Sequence, residues 1–268
     1  MIPKIIHYCW FGKKQLPEFA QKCIDSWKKF LPDYEIKQWN ETNFDVNCCK
    51  YVKQAYESRK YAFVSDYARF KLLYEYGGIY FDTDVELIKT INDIIEKGPF
   101  MGFEKNNTGQ NGVNPGCGIA CYPNHKIYKE ILDVYKTLSF VNCDGSFNTK
   151  TVVEYTTKTL KKYGLQSGTD IQKIEDIYVY PKEYFSPKEF ETQETVITEN
   201  TRSVHHYNAS WVDSYSRREY LSLGNYKIVR FKRNKQIIED KINLRENEKV
   251  CFLLKVSKSK KFAILKIK

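Results

Sequence analysis

Apolar positions along this chain run together, alternate, or recur every three to four residues, and each habit predicts a different element. Residues 3–10 (PKIIHYCW) are an apolar run of strand length, closed by a turn at Phe11-Gly12. Leu16 to Phe30 reads as a helix, with Pro17 near its start and Phe19, Cys23, Ile24 and Trp27 on one face. Tyr34 to Trp39 alternates as a second strand. The next clear pattern is Tyr61 to Tyr76, a helix by its stripe of Phe63, Tyr67, Phe70, Leu73 and Tyr74, stopped by Gly77-Gly78. Ile79-Tyr80-Phe81 follows as a short strand, and Asp82-Thr83-Asp84 comes directly off its end.

Further on, Phe100 to Phe103 predicts a strand, and 104–116 a polar loop with four Asn and three Gly. Cys117 to Tyr122 predicts another strand, and His125 to Leu138 and Thr151 to Tyr163 two helices. Residues 164–203 have no assignable pattern. His205 to Trp211 is a polar-aromatic cluster ahead of a helical stretch ending near Leu223. Strand, helix, strand at the start predicts an α/β domain on a mostly parallel sheet.

With 42% apolar residues and 15% aromatics the chain can build a real core. No run of about 18 apolar residues predicts a membrane span, and the N-terminus lacks the charged segment and cleavage site of a signal peptide. The expected location is therefore the cytoplasm, with eight reduced cysteines serving as small apolar fillers. Charge changes the picture more. Residues 224–268 hold 14 Lys/Arg and 4 Asp/Glu, which leaves 29 of each sign in 1–223, so the tail carries the whole net charge of +10. That predicts a domain boundary, with a charge-balanced domain over 1–223 and a basic appendage over 224–268. The appendage mixes its Lys and Arg with Ile, Val, Phe and Leu, which suits either a solvated basic face or docking on an anionic inner membrane leaflet. The neutral body carries no basic stripe among its aromatics, so nucleic acid is not an expected partner.

An Asp-x-Asp pair alone is weak, since about one arises by chance in a chain this long. Here it leaves an apolar strand, where ligands of open α/β sheets bind, and its oxygens suit Mg²⁺ or Mn²⁺. Asp66 and Arg69, at i and i+3 on the preceding helix, share its inward face as either a structural ion pair or a fixture for sugar and phosphate. His205 and His206, half of the four histidines, stand beside Asn208, Ser210 and Trp211, a cluster able to supply an imidazole and an indole N–H and to close as a lid.

SDYARFKLLYEYGGIYFDTD (65–84), IPKIIHYCWFG (2–12) and HHYNASW (205–211) together resemble glycosyltransferase family 32, and are similar to the glucosyltransferase domains of large clostridial toxins. The resemblance spans residues 2–211 and implies a GT-A fold, a divalent metal and transfer with retention from a nucleotide sugar, UDP-linked by preference, to a glycan or lipid-linked saccharide in surface polysaccharide synthesis. It implies that Trp10 stacks on the base, that Cys9 offers backbone contacts, and that His7 and Tyr80 belong to the same donor side. Asp66 and Arg69 would hold the sugar and its phosphate. Asp84 would bind the metal, Asp82 would serve the metal or ribose, and His206, five residues before Trp211, would be the imidazole ligand. Ser210 and Trp211 would bind the diphosphate, and Asn114 would lie beside the transferred sugar. Ser146-Phe147-Asn148 departs from the Gly-Pro expected on the acceptor side. The competing readings are a metal-dependent nucleotide-sugar phosphohydrolase or nucleotidyltransferase and a basic nucleic-acid-binding protein.

Overall fold

A computed structural model describes residues 1–105, 111–189, 194–207, 215–233, 248–257 and 260–267. The chain divides into two units, Met1–Tyr207 and Asn208–Lys268. The first unit begins with β1 (Ile5–Cys9), α1 (Glu18–Phe30), β2 (Glu35–Trp39), α2 (Lys50–Glu57) and α3 (Tyr61–Tyr76). It continues through β3 (Gly78–Tyr80), β4 (Val85–Leu87), α4 (Asn92–Ile95), β5 (Phe100–Lys105), β6 (Asn111–Val113) and β7 (Ile119–Cys121). It closes with α5 (Lys126–Lys136), α6 (Val152–Lys162), β8 (Gln172–Ile174), β9 (Ile177–Tyr180), α7 (Lys182–Phe185) and β10 (Ser203–His205).

The main sheet runs β2-β1-β3-β7-β5-β9-β8, with β6 beside β5. β1 is parallel to β2 and β3, β5 is parallel to β9, and only β7 and β8 on that path run the other way. The predicted mostly parallel sheet is present. Period-two alternation sends Tyr80, Met101, Ile119 and Val179 to one face and Ile79, Phe100, Ala120 and Tyr180 to the other. α2, α3, α5 and α6 cover the first face, and α1, α4 and α7 the second. Each large side chain buried between these layers contributes roughly 2–3 kcal/mol.

Three local features aim the site. α3 occupies its predicted span and ends where Gly77 and Gly78 take φ of 66° and 97°; a Cβ on Gly78 would meet the Ile5 carbonyl oxygen at 2.5 Å, so only glycine lets β3 lie against β1 here. α1 is tied to β4 by Trp27 Nε1, which donates to the Val85 carbonyl at 2.7 Å, and by Ser26 Oγ, which accepts from the Leu87 N–H at 2.9 Å. Among the described residues β10 pairs with β4 alone, antiparallel and with His205 opposite Val85.

The second unit contains β11 (Tyr215–Leu223), β12 (Tyr226–Arg233), β13 (Glu248–Ser257) and β14 (Lys260–Ile267) as an antiparallel sheet ordered β11-β12-β14-β13. The helix expected to end near Leu223 is therefore a strand. Its ladder to β12 also moves the division of the chain from 223/224 to Tyr207/Asn208. Sheet partners decide strand formation more than local propensity does, which is why one-dimensional pattern failed there. The polar loop over 104–116 in part forms the β5–β6 hairpin. The filler reading of the cysteines holds for buried Cys9, Cys23, Cys117 and Cys121 and fails for exposed Cys143 and Cys251.

Candidate functional site

β3 ends at Tyr80, and the Val85 N–H donates to the Asp82 carbonyl at 3.1 Å, closing a turn with Thr83 and Asp84 at its centre. Both carboxylates thus sit where parallel β1 and β3 finish. Arg69 reaches in from α3, only 3% exposed, and its Nη2 lies 3.1 Å from both Asp66 Oδ1 and Asp82 Oδ1. Tyr80 donates its hydroxyl to the same Asp82 oxygen at 2.9 Å, with the guanidinium over its ring. The i, i+3 pair on α3 is therefore a bridge into the Asp82 turn.

On the far side His205 comes in from β10, its Nε2 3.3 Å from Asp84 Oδ1. Asp82, Asp84 and His205 each offer one ligand atom, all within 4.8 Å of one another. Two carboxylates and an imidazole in that space suit a divalent cation such as Mn²⁺. The residues present fit the expected metal. The charge balance also favours a cation. Burial pushes the Asp66 carboxyl up to about 7 despite Arg69, and pushes Asp82 and Glu104 upward too. Burial lowers the His205 imidazole, but Asp84, Asp82 and Glu104 outweigh it and leave His205 raised.

Gly116 closes the floor. Its carbonyl accepts from the Asp82 N–H at 3.1 Å, and a Cβ there would stand 2.1 Å from Asp82 Oδ2. Asn114 fixes that loop, accepting from the Gly116 N–H at 2.7 Å and donating to Glu104 Oε2 at 2.7 Å. Its amide nitrogen also lies 3.5 Å from His205 Nδ1. Tyr207 donates to Glu104 at 3.3 Å and packs its ring 4.5 Å from that of His205. Lys188 donates to the His206 carbonyl at 3.1 Å; burial lowers its ammonium pKa and Asp84 opposes that.

Of the residues expected from sequence, Asp66, Arg69, Tyr80, Asp82, Asp84 and Asn114 are brought together. The Cys9 thiol lies beside Tyr80, Ser65 and Arg69, its pKa pushed up by burial to about 12. The His206 backbone N–H donates to the Asp84 carbonyl at 3.0 Å, but its imidazole is not at the aspartates. Its Nε2 is 2.9 Å from Glu86, and its ring packs on Phe19. Successive residues of a strand face opposite ways, so one residue decides which histidine enters the site, and it is His205. His7 is also engaged elsewhere: Trp39 Nε1 donates to its Nδ1 at 3.0 Å, and its Nε2 donates to the Gly77 carbonyl at 2.9 Å. It is wholly buried, its pKa is lowered to about 4 mainly by that burial, and neither nitrogen is open to a ligand. Trp10 donates its indole N–H to the Lys14 carbonyl at 2.7 Å. Ser210 and Trp211 lie outside the described residues. Glu104 and Lys188 were missed. Glu104 had a signal, an acid at a core-facing step of the apolar run FMGFE, whereas Lys188 arrives only through long-range folding.

Residues 17–101 match the family model described as a glycosyltransferase sugar-binding region containing a DXD motif. The uncharacterized glycosyltransferase L373 of Acanthamoeba polyphaga mimivirus is 26% identical over 200 residues, 70% of this chain and 76% of that protein. Inositol phosphoceramide mannosyltransferase 3 of Schizosaccharomyces pombe is 36% identical over 102 residues, 35% of this chain and 27% of that protein. Among solved structures, PaToxG glycosyltransferase aligns at a TM-score of 0.46 and 21% identity, covering 60% of this chain and 69% of that one.

Proposed function

We propose that this chain, which belongs to the glycosyltransferases with a DXD-containing sugar-binding region, transfers a hexose from a UDP-sugar, with retention, to a glycan or lipid-linked saccharide. The observation that carries the reading is the Asp82–Asp84–His205 set standing against the Asp66–Arg69–Asp82 bridge. A divalent cation bound by that set supplies positive charge against the donor's diphosphate. Arg69 keeps Asp66 and Asp82 in register, so that Asp66 accepts from sugar hydroxyls while Asp82 stays turned toward the cation. Tyr80 and Gly116 hold Asp82 from its other sides. Lys188, drawn toward Asp84, meets the charge that grows on the phosphate as the sugar leaves. Glu104 holds Asn114 beside the transferred sugar.

In the transfer, the bond from the anomeric carbon to the phosphate oxygen breaks and one to the acceptor oxygen forms on the same face. The departing phosphate takes the acceptor's proton, so no protein base is required.

The test is incubation with UDP-glucose, UDP-galactose, their N-acetyl forms and GDP-mannose, with and without Mn²⁺. GDP-mannose is included because the yeast relative is a mannosyltransferase. Mn²⁺-dependent release of nucleoside diphosphate is expected with one donor. Release of nucleoside monophosphate would instead identify a phosphohydrolase.

A further inference from the structure

One face of the second unit's sheet carries exposed apolar side chains. Cross-strand partners in an antiparallel sheet share a face, which sets Ile228, Ile264 and Phe252 in one row across β12, β14 and β13. Leu223 and Tyr226 extend the row at one end, and Leu254, opposite Phe262, extends it along β13. These six residues are between 37% and 65% exposed, whereas Val229, Ala263 and Leu265, on the opposite face, are buried. A strand set that buries one face ordinarily makes the other polar, so the arrangement needs an occupant.

Charge identifies the occupant. Residues 224–268 hold the entire +10 of the chain, and exposed Lys249 and Lys266, paired across β13 and β14, stand on the apolar face itself. A second copy would set this charge against itself. A nucleic acid would satisfy the lysines and leave Ile228, Ile264 and Leu254 with nothing to stack on or bond to. An anionic bilayer surface takes both, the headgroups meeting Lys and the acyl boundary receiving Ile, Leu and Phe. We propose that the β12–β14–β13 face of the second unit docks on anionic lipid, with Ile228, Phe252, Leu254 and Ile264 entering the headgroup–acyl boundary.

The experiment is co-sedimentation of the full chain with phosphatidylcholine vesicles, plain or containing about a third phosphatidylglycerol. Binding to the anionic vesicles alone, weakened by salt, is expected. Phe252→Ser with Leu254→Ser should lower the partition coefficient by about tenfold or more, because these exposed side chains supply inserted area. Lys249→Gln with Lys266→Gln should lower it less and flatten its salt dependence. Both variants should keep wild-type nucleotide-sugar turnover in solution, since the four residues belong to the second unit and the Asp82–Asp84–His205 set to the first. Equal partition of wild type and the serine variant would overturn the proposal, as would equal binding to both vesicle types. A chain that ignores vesicles and runs as a dimer separated by the serine changes would overturn it in favour of self-association.

Discussion

Among the described residues of the first unit, the His125–Asp176 and His205–Asp84 pairs differ in how tightly the protein ties them, a third pair being His206–Glu86. His125 caps α5: its Nδ1 accepts from the Ile127 N–H at 3.2 Å, and its Nε2 donates to Asp176 at 2.7 Å. Tyr122 donates to the same carboxylate. Burial pushes Asp176 upward, yet the Tyr122 and His125 bonds outweigh it and leave the pKa lowered. His205 meets Asp84 at 3.3 Å and Asn114 at 3.5 Å, both longer, among carboxylates whose pKa values are raised. One pair is closed by the protein. The other gathers two carboxylates and an imidazole within 4.8 Å of one another, a donor set that suits a divalent cation.

The sharpest way to break this comparison is Asp84→Ala. Transfer should fall by about a thousandfold or more, while the melting temperature holds or rises, because the change relieves carboxylate repulsion. Unchanged turnover that still required metal would remove Asp84 from the ligand set. His205→Ala should weaken Mn²⁺ binding, read by calorimetry, by about 10- to 100-fold, and His206→Ala should leave it nearly unchanged. The reverse ranking would restore His206.

His125→Ala strips the α5 cap and orphans Asp176, and should cost about 1–3 kcal/mol in denaturant unfolding with turnover intact at low temperature. The smallest effect is in pH. The folded Asp66 pKa of about 7 lies above the unfolded value, so its contribution to stability declines as pH rises from the unfolded carboxylate range to about 7. Asp176 is lowered, so its contribution is present above its unfolded pKa and lost as pH falls through the folded one. Asp66→Asn should flatten the neutral limb of a stability–pH curve, and Asp176→Asn its acid limb. Matching curves for the two variants would erase the distinction.

Legibility from sequence followed the range of the forces involved. α3 was readable end to end because stripe and stop are both local, and α6 lies within its expected span, where the structure shows Thr151 and Glu154 closing a capping box. Asp66, Arg69, Asp82 and Asp84 were readable because they lie within one helix–strand unit. His205 was resolved only by the register of β10 on β4, a pairing between distant segments. β8, β9, α7 and β11 were likewise hidden, since each strand or short helix there depends on neighbours supplied from elsewhere in the chain.

The β4–β10 pairing also has a consequence for biogenesis. The aspartates are synthesised early and His205 near the end of its unit, so a chain still emerging from the ribosome holds two-thirds of the ligand set without the last member. Under the proposed function, the set would reach full affinity for a cation only when β10 adds to β4, and binding would therefore mark completion of the unit. By the same linkage, the cation should hold the last-added strand in place and slow its release when the protein is stressed.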